Sequence, residues 1–146
     1  MRHIDKCRPD ESGGYFNVWF YNGYVVKRMK QMHYMSLFEQ IRIWNIIADD
    51  VEHLVPVEYW NEHCVTMEIP PGVLLRTLGS NPFLREHYGL SIRELRAKVQ
   101  EHGYTITDLS YKNLYYDFEQ NFIYVVDFSS LKPLNKKIKK KRRGKL

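Results

Sequence analysis

The sequence predicts an α+β fold made of two lobes that share one cleft, and three observations support this prediction. Two runs of aromatic and β-branched residues flank Asn22-Gly23, which is a strong signal for a β-hairpin. Apolar residues at helical spacing follow, and the Pro-Pro-Gly run at 70–72 then interrupts the chain. We therefore expect an antiparallel sheet with one helix before the break, and a helix with a polar-ended hairpin after it.

The part of the chain before residue 70 is expected to form the sheet. Apolar positions surround most of the helix that follows the hairpin, so this helix is expected to be largely covered. The predicted elements are strands at 15–21 and 24–29, a helix at 33–49, and strands at 55–60 and 64–69.

The part after residue 72 is expected to hold two helices and a hairpin. Ser91 and Glu94 match a capping-box pattern and Gly103 is a typical helix end, so a helix is predicted from Ser91 to His102. The other predicted elements are a short helix at 73–78 and strands at 114–116 and 122–126, while the segment 104–107 after the helix leads to Asp108 without an assigned structure.

Length and composition fit one domain with a basic tail. The chain has 146 residues and 44% of them are apolar, which is enough to bury a core. We expect a domain at 1–135, with a first lobe at about 1–69, a hinge at about 70–72 and a strongly reduced second lobe at about 73–135. The tail, 136–146, is expected to be disordered on its own because it holds eight basic residues and no acid.

The tail also decides how the net charge of +5 is interpreted. Without its eight positive charges the rest of the chain carries 14 basic and 17 acidic residues, and is mildly acidic. Such a tail can neutralise the phosphates of a nucleic acid, attach to an acidic partner, or merely keep the protein soluble. The sequence leaves these three roles open.

Cysteine usage and hydropathy bear on location. Cys7 and Cys64 match no metal spacing and make a poor disulfide framework, which fits free thiols in a reducing compartment. The first residues lack the apolar run of a signal peptide, and no stretch is long enough to span a membrane. We therefore expect a cytoplasmic protein with no membrane partner.

Three polar residues of the second half suit phosphoryl-transfer chemistry. Asn113 precedes the predicted hairpin and Asp127 follows it, so both are expected at one edge of the cleft. Mg²⁺ prefers oxygen ligands, which these two side chains supply, while the Asp108 carboxylate can orient or deprotonate a hydroxyl. Taken singly, Asp108 and Asn113 are better explained as turn residues. The prediction of a metal site depends on the three together.

These residues lie in segments that resemble protein kinases. Residues 102–114 resemble the catalytic loop, most closely that of the compact RIO and Bud32-type kinases, and 123–129 resemble the strand that ends in the Asp-Phe-Gly metal motif. The resemblance implies that Asp108 is the catalytic base and that Asn113 and Asp127 hold Mg²⁺ beside ATP.

The first half adds weaker similarities. Lys27 resembles the kinase lysine that contacts the α- and β-phosphates, and Glu39 is the best candidate for its acidic partner, with Glu52 second. Residues 67–72 resemble the kinase hinge, so the backbone of Glu68 and Ile69 is expected to contact adenine. The Ser-Gly-Gly run that contains Gly13 and Gly14 is a weak candidate for a phosphate-binding loop. Each residue also has an alternative without a functional role. Lys27 can face outward from its strand, Glu39 can be a surface residue, and the Ser-Gly-Gly run can be a simple loop.

The departures from the kinase pattern leave two functional predictions, an enzyme and a pseudokinase. The glycine-rich loop is nearly absent, Ile106-Thr107 stands where kinases have His-Arg, and Ser129 replaces the glycine of the metal motif. No activation segment follows Asp127. We therefore expect a minimal ATP- and Mg²⁺-dependent phosphotransferase, of protein Ser/Thr kinase or ATPase type, whose reduced second lobe is covered by a protein substrate or partner. The alternative is a pseudokinase that binds a partner or nucleic acid through residues 136–146.

Overall fold

The computed structural model describes residues 9–12, 16–29, 34–61, 64–78, 82–107, 109 and 113–134. Within these ranges the helices are α1 (Tyr34–Ala48) and α2 (Pro82–Glu101), and the strands are β1 (Glu11–Ser12), β2 (Phe16–Tyr21), β3 (Tyr24–Met29), β4 (Val57–Trp60), β5 (Cys64–Glu68), β6 (Val73–Leu74), β7 (Tyr104–Ile106), β8 (Leu114–Asp117), β9 (Phe122–Val125) and β10 (Leu131–Pro133). Short 3-10 helices span Leu75–Leu78 and Phe128–Ser130.

An antiparallel sheet of five strands, in the order β1-β2-β3-β5-β4, occupies the first half of the chain. The turn between β2 and β3 has Asn22 at φ 52° and Gly23 at φ 82°. Two consecutive positive φ angles are what a tight two-residue hairpin requires, so the predicted hairpin is present. Within β3, Val26 packs with Trp19 on one face, while Lys27 faces the opposite way because strand side chains alternate.

Helix α1 packs on this sheet through one stripe of its surface. Ile41, Trp44 and Ile47 are buried, and the Trp44 indole N–H donates to the backbone oxygen of Val55 at 2.7 Å. Ile46 is 55% exposed, and Glu39 and Arg42 are exposed too, but the other described side chains from 38 to 48 are buried or half-buried, so the helix is largely covered, as its composition suggested. The stripe therefore decides which residues of α1 can contribute to a buried site.

The second half contains two small sheets, β6-β8-β9 and β7-β10, around helix α2. The short helix expected at 73–78 is instead strand β6 followed by a 3-10 helix. The expected start of α2 at Ser91 is also wrong, since the helix is continuous from Pro82. Ser91 is buried inside it, and its hydroxyl oxygen accepts a hydrogen bond from the backbone N–H of Ile123 at 3.0 Å. A tertiary contact therefore replaces the predicted cap.

The loop after α1 ties the two halves together. The backbone N–H of Val55 donates to the oxygen of Val125 at 3.1 Å, and the N–H of Val125 donates to the oxygen of His53 at 2.8 Å. Leu54 pairs with Val125 in a parallel bridge, and both are buried. Strand β9 is thus fixed against the first half just before the chain reaches Asp127.

The segment predicted as the hinge joins β5 to β6. Gly72 has φ 107°, and a Cβ atom there would lie 2.3 Å from the backbone oxygen of Tyr116. Only glycine fits both the backbone angle and this close approach. The division of the chain into lobes at this segment stays a prediction.

Two further observations concern the expected location. Neither helix in the described ranges is long and apolar enough to cross a membrane. Cys64 forms no disulfide within the described residues, and Cys7 lies outside them, so the expectation of free thiols stays a prediction. A cytoplasmic location stays a prediction.

Candidate functional site

The hairpin of β8 and β9 brings Asn113 and Asp127 together. Asn113 immediately precedes β8, and its backbone oxygen accepts a hydrogen bond from the N–H of Val126 at 3.0 Å. Its side-chain amide donates to Asp127 Oδ2 at 3.0 Å. Pairing of the two strands therefore places both side chains at one edge of the sheet, the arrangement that the sequence predicted for a hairpin.

Asp127 ends the extended segment and caps the 3-10 helix Phe128–Ser130. Its Oδ1 accepts hydrogen bonds from the backbone N–H of Ser129 at 3.2 Å and from the Ser129 hydroxyl at 2.5 Å. A capping aspartate takes this conformation because its carboxylate satisfies N–H groups that have no partner in the first helical turn. The carboxylate is consequently held in one orientation.

Lys27 reaches the same carboxylate from the five-stranded sheet. Its ammonium lies 3.8 Å from Asp127 Oδ1 and donates to the backbone oxygen of Val126 at 2.6 Å. It also lies 5.8 Å from the centroid of the Phe128 ring. Only 4% of the Lys27 side chain is exposed, and a buried cation is tolerated where hydrogen bonds and an anion compensate its lost hydration.

The Lys27–Asp127 ion pair, together with Asn113, defines what we call the carboxylate cluster. Lys27 and Val126 are 99 positions apart in the chain, so the cluster depends on the tertiary fold. It places an ammonium 3.8 Å from a carboxylate that also accepts a hydrogen bond from an amide. Such a set can hold a phosphate group through the ammonium and a hard metal ion through oxygens.

Glu39, expected beside Lys27, lies elsewhere. Its carboxylate is 57% exposed and forms a two-pronged contact with Arg42, at 2.5 and 3.2 Å. The hydrogen bond from Arg42 lowers the pKa of Glu39. The buried stripe of α1 runs through Ile41 and Trp44, and Glu39 is not on it. Within the part of the chain that the structure describes, it is Asp127 whose carboxylate lies next to Lys27.

Three of the predicted site residues, Asp108, Gly13 and Gly14, lie outside the described residues. The residue before Asp108 is described: the backbone N–H and the hydroxyl of Thr107 both donate to the oxygen of Ser130, at 2.8 and 3.0 Å. The chain is therefore fixed beside the 3-10 helix that Asp127 caps, one residue before the expected base.

The hinge segment offers few backbone donors. The N–H of Ile69 donates to the oxygen of Gly23 at 2.8 Å, and Pro70 and Pro71 have no N–H. Within 69–71 the backbone can therefore accept hydrogen bonds from a ligand but has no unused N–H to donate. The expected contact of Ile69 with a base would have to use its carbonyl group.

Glu68 and Ile69 also line a cleft of about 240 Å³ whose wall includes Glu52 and Tyr124. Neither Lys27 nor Asp127 is among its lining residues. Glu52, the second candidate for pairing with Lys27, is exposed and belongs to this cleft. The cleft is thus lined by residues other than those of the carboxylate cluster.

Sequence reasoning missed Ser129 and the Val126 carbonyl. Ser129 was treated only as a departure from a motif, although an aspartate followed two residues later by serine at a strand end is a recognisable capping signal. The Val126 carbonyl carried no side-chain signal at all. Its role appears only because β9 ends beside β3.

Taken together, the antiparallel sheet with α1, the joining segment, α2 and the hairpin that ends at Asp127 form a protein kinase-like fold. The structure of the Cydia pomonella Granulovirus kinase, PK-1, is similar, with a TM-score of 0.59 and 15% sequence identity. The match covers 84% of this chain and 52% of that chain, so the present chain spans about half the length of PK-1. No family model matches the sequence, and no curated protein matches it. At this identity the similarity establishes the fold alone.

The donor set of the carboxylate cluster fits Mg²⁺. Asp127 supplies a carboxylate and Asn113 an amide oxygen, and Mg²⁺ is commonly held by one or two protein oxygens together with substrate phosphates. No group of three or more His, Cys, Asp or Glu side chains suitable for a metal occurs among the described residues, so a fully protein-made cage is not found there. Asn113 directs its N–H₂ at Asp127, so its amide must turn before its oxygen can join Asp127 as a ligand.

Proposed function

We propose that this protein is a minimal kinase-like phosphotransferase that binds ATP with Mg²⁺ at the carboxylate cluster. The observation that supports it best is that both Lys27 and Asn113 contact the Asp127 carboxylate. A buried ammonium and a metal-binding carboxylate at the end of a strand are the two charges that phosphoryl transfer requires. The kinase-like fold supports the same class.

Each residue has a defined part in the proposal. Lys27 contacts the phosphates of ATP, and Asp127 with Asn113 holds the metal ion, which offsets phosphate charge when bound. Asp108 orients or deprotonates the acceptor hydroxyl. Thr107, hydrogen-bonded to Ser130, fixes the backbone that leads to Asp108. Glu39 has no direct part in this arrangement, because its carboxylate pairs with Arg42 on the surface.

The finer classification is also a proposal. Transfer to a protein Ser/Thr hydroxyl, in the manner of the RIO and Bud32-type kinases, and slow ATP hydrolysis both fit the cluster. We also infer that a protein substrate or partner covers exposed apolar groups of the second half, among them Leu90, which is 68% exposed on α2.

A pseudokinase is the second candidate, and a specific observation favours it. Lys27 already donates to the Val126 oxygen at 2.6 Å, and Glu39 faces solvent, so the lysine is engaged with the protein itself. In that case the protein binds a partner or a nucleic acid, with the basic residues of 136–146 contacting phosphates. Deleting 136–146 would then abolish a binding that weakens steeply with salt.

Thermal unfolding in the presence of ATP and Mg²⁺ tests the proposal. A ligand at 100 times its dissociation constant stabilises a protein by about 2.7 kcal/mol, which is measurable as a shift in Tm. We expect the shift for the wild type and its loss in Asp127→Ala, with Asp117→Ala as a control carboxylate on the same hairpin. No shift in the wild type contradicts nucleotide binding.

Phosphate release separates the two candidates once binding is established. We expect γ-phosphate release or autophosphorylation in the wild type and at least about a hundredfold loss in Asp108→Ala, within the usual contribution of a general base. Equal turnover in both proteins contradicts the enzyme and favours the pseudokinase.

A further inference from the structure

Ser129 makes two hydrogen bonds to a single oxygen of Asp127. The backbone N–H of Ser129 donates to Oδ1 at 3.2 Å and its hydroxyl donates to the same atom at 2.5 Å. The first bond is available to any residue but proline at this position. The second requires a hydroxyl at position 129.

The neighbouring serine shows that this contact is specific to position 129. The Ser130 hydroxyl also donates to Asp127, at 2.6 Å, but its acceptor is the backbone oxygen. Both hydroxyls therefore stabilise the 3-10 helix, whereas the one on Ser129 acts on the carboxylate itself. The two serines form a natural pair of test and control.

The two oxygens of Asp127 consequently have different surroundings. Oδ1 faces the Ser129 donors and the Lys27 ammonium at 3.8 Å, while Oδ2 accepts from the Asn113 amide. The donors occupy the lone pairs of Oδ1 and hinder rotation of the carboxylate. Oδ2 is left as the oxygen on the side of Asn113, the other predicted ligand.

We propose that Ser129 is a positioning residue that fixes the Asp127 carboxylate so that Oδ2 meets a divalent cation. The proposal rests on the proposed function, since it concerns the same metal site. Hydrogen-bonding partners of metal ligands typically contribute 10- to 100-fold to metal affinity because they orient the ligand. The Ser129 hydroxyl thus restricts a rotation of the Asp127 carboxylate that a glycine at position 129 would leave free.

Binding of Mn²⁺ tests the proposal without relying on turnover. Free Mn²⁺ is measured by electron paramagnetic resonance in the presence of a non-hydrolysable ATP analogue and the 146-residue chain. We expect Ser129→Ala to weaken Mn²⁺ binding about tenfold or more. Ser129→Thr, which keeps the hydroxyl, restores the affinity, and Ser130→Ala stays within about twofold of the wild type.

Each outcome decides between the claims. If Ser129→Ala and Ser130→Ala weaken binding equally, or if Ser129→Ala binds as the wild type does while Asp127→Ala does not bind, the positioning role is wrong and the metal site stands. If the wild type itself binds no Mn²⁺, the metal site and the role of Ser129 both fail. Urea unfolding of each variant without metal identifies any general loss of stability, and Ser129→Thr gives a folded comparison if Ser129→Ala unfolds.

Discussion

Replacing Lys27 by methionine tests whether the buried ion pair exists as described. Methionine has nearly the same shape, so the main loss is the charge. The Val126 oxygen loses a donor at 2.6 Å, and the Asp127 carboxylate, only 14% exposed, loses a cation at 3.8 Å. A hydrogen bond to a charged group contributes about 1.5–3 kcal/mol, and removing one partner of a buried pair costs about 3–5 kcal/mol.

The expected decrease in the free energy of unfolding is therefore roughly 2–4 kcal/mol, since Asp127 keeps some contact with water and its other donors remain. Lys98→Met is the matched control. Lys98 is 43% exposed and pairs with Glu94 one helical turn away, at 3.0 Å. Such surface pairs contribute about 0.3–0.5 kcal/mol.

Urea unfolding followed by tryptophan fluorescence measures both variants, since Trp44 is fully buried in the core. A loss below about 0.5 kcal/mol for Lys27→Met, equal to that of Lys98→Met, would refute the burial and pairing of Lys27. The same variant should lose the Tm shift with ATP and Mg²⁺ if the ammonium contacts phosphates.

Three further predictions follow from other parts of the fold. Gly72→Ala should lower the free energy of unfolding by at least about 2 kcal/mol in urea titrations, because Gly72 has a positive φ and a Cβ atom there would lie 2.3 Å from backbone; a neutral effect would contradict the close approach of Gly72 to Tyr116. Burial lowers the pKa of His53, so protonation favours the unfolded chain, and the free energy of unfolding should fall as the pH decreases below about 6.5. His53→Asn should weaken this pH dependence. An unchanged urea midpoint between pH 7.5 and pH 5 in the wild type would contradict the prediction. Because 69–71 offers carbonyl acceptors and no unused N–H, it suits the 6-amino group of adenine better than the 6-oxo group of guanine, so competition binding should favour ATP over GTP by about fivefold or more, and equal affinities would contradict the hinge contacts.

Local signals predicted the hairpins well. Strand β3 spans Tyr24–Met29, the range that was expected, since alternating aromatic and β-branched residues around Asn-Gly leave one register. The proximity of Asn113 and Asp127 was predictable for the same reason. Both ends of a hairpin meet through contacts close in sequence.

Features that depend on distant contacts were harder to predict. The pattern at Ser91 is a valid local cap, yet the helix runs through it because Ser91 is buried and serves the N–H of Ile123 instead. Glu39 was assigned to Lys27 from helical spacing. The packing of α1 through Ile41 and Trp44 turned it to the surface, where Arg42 was available. In both cases tertiary packing decided between two locally reasonable arrangements.

The central claim is that the Asp127 carboxylate binds Mg²⁺ together with ATP. Isothermal titration calorimetry measures the affinity of the wild type and of Asp127→Ala for ATP, each with Mg²⁺ or with EDTA, and so provides the sharpest test of this claim. We expect Mg²⁺ to tighten ATP binding at least about tenfold in the wild type, a difference of about 1.4 kcal/mol, and to have no such effect in Asp127→Ala. Equal affinity in Mg²⁺ and EDTA, or a Mg²⁺ effect that persists without the carboxylate, would contradict it.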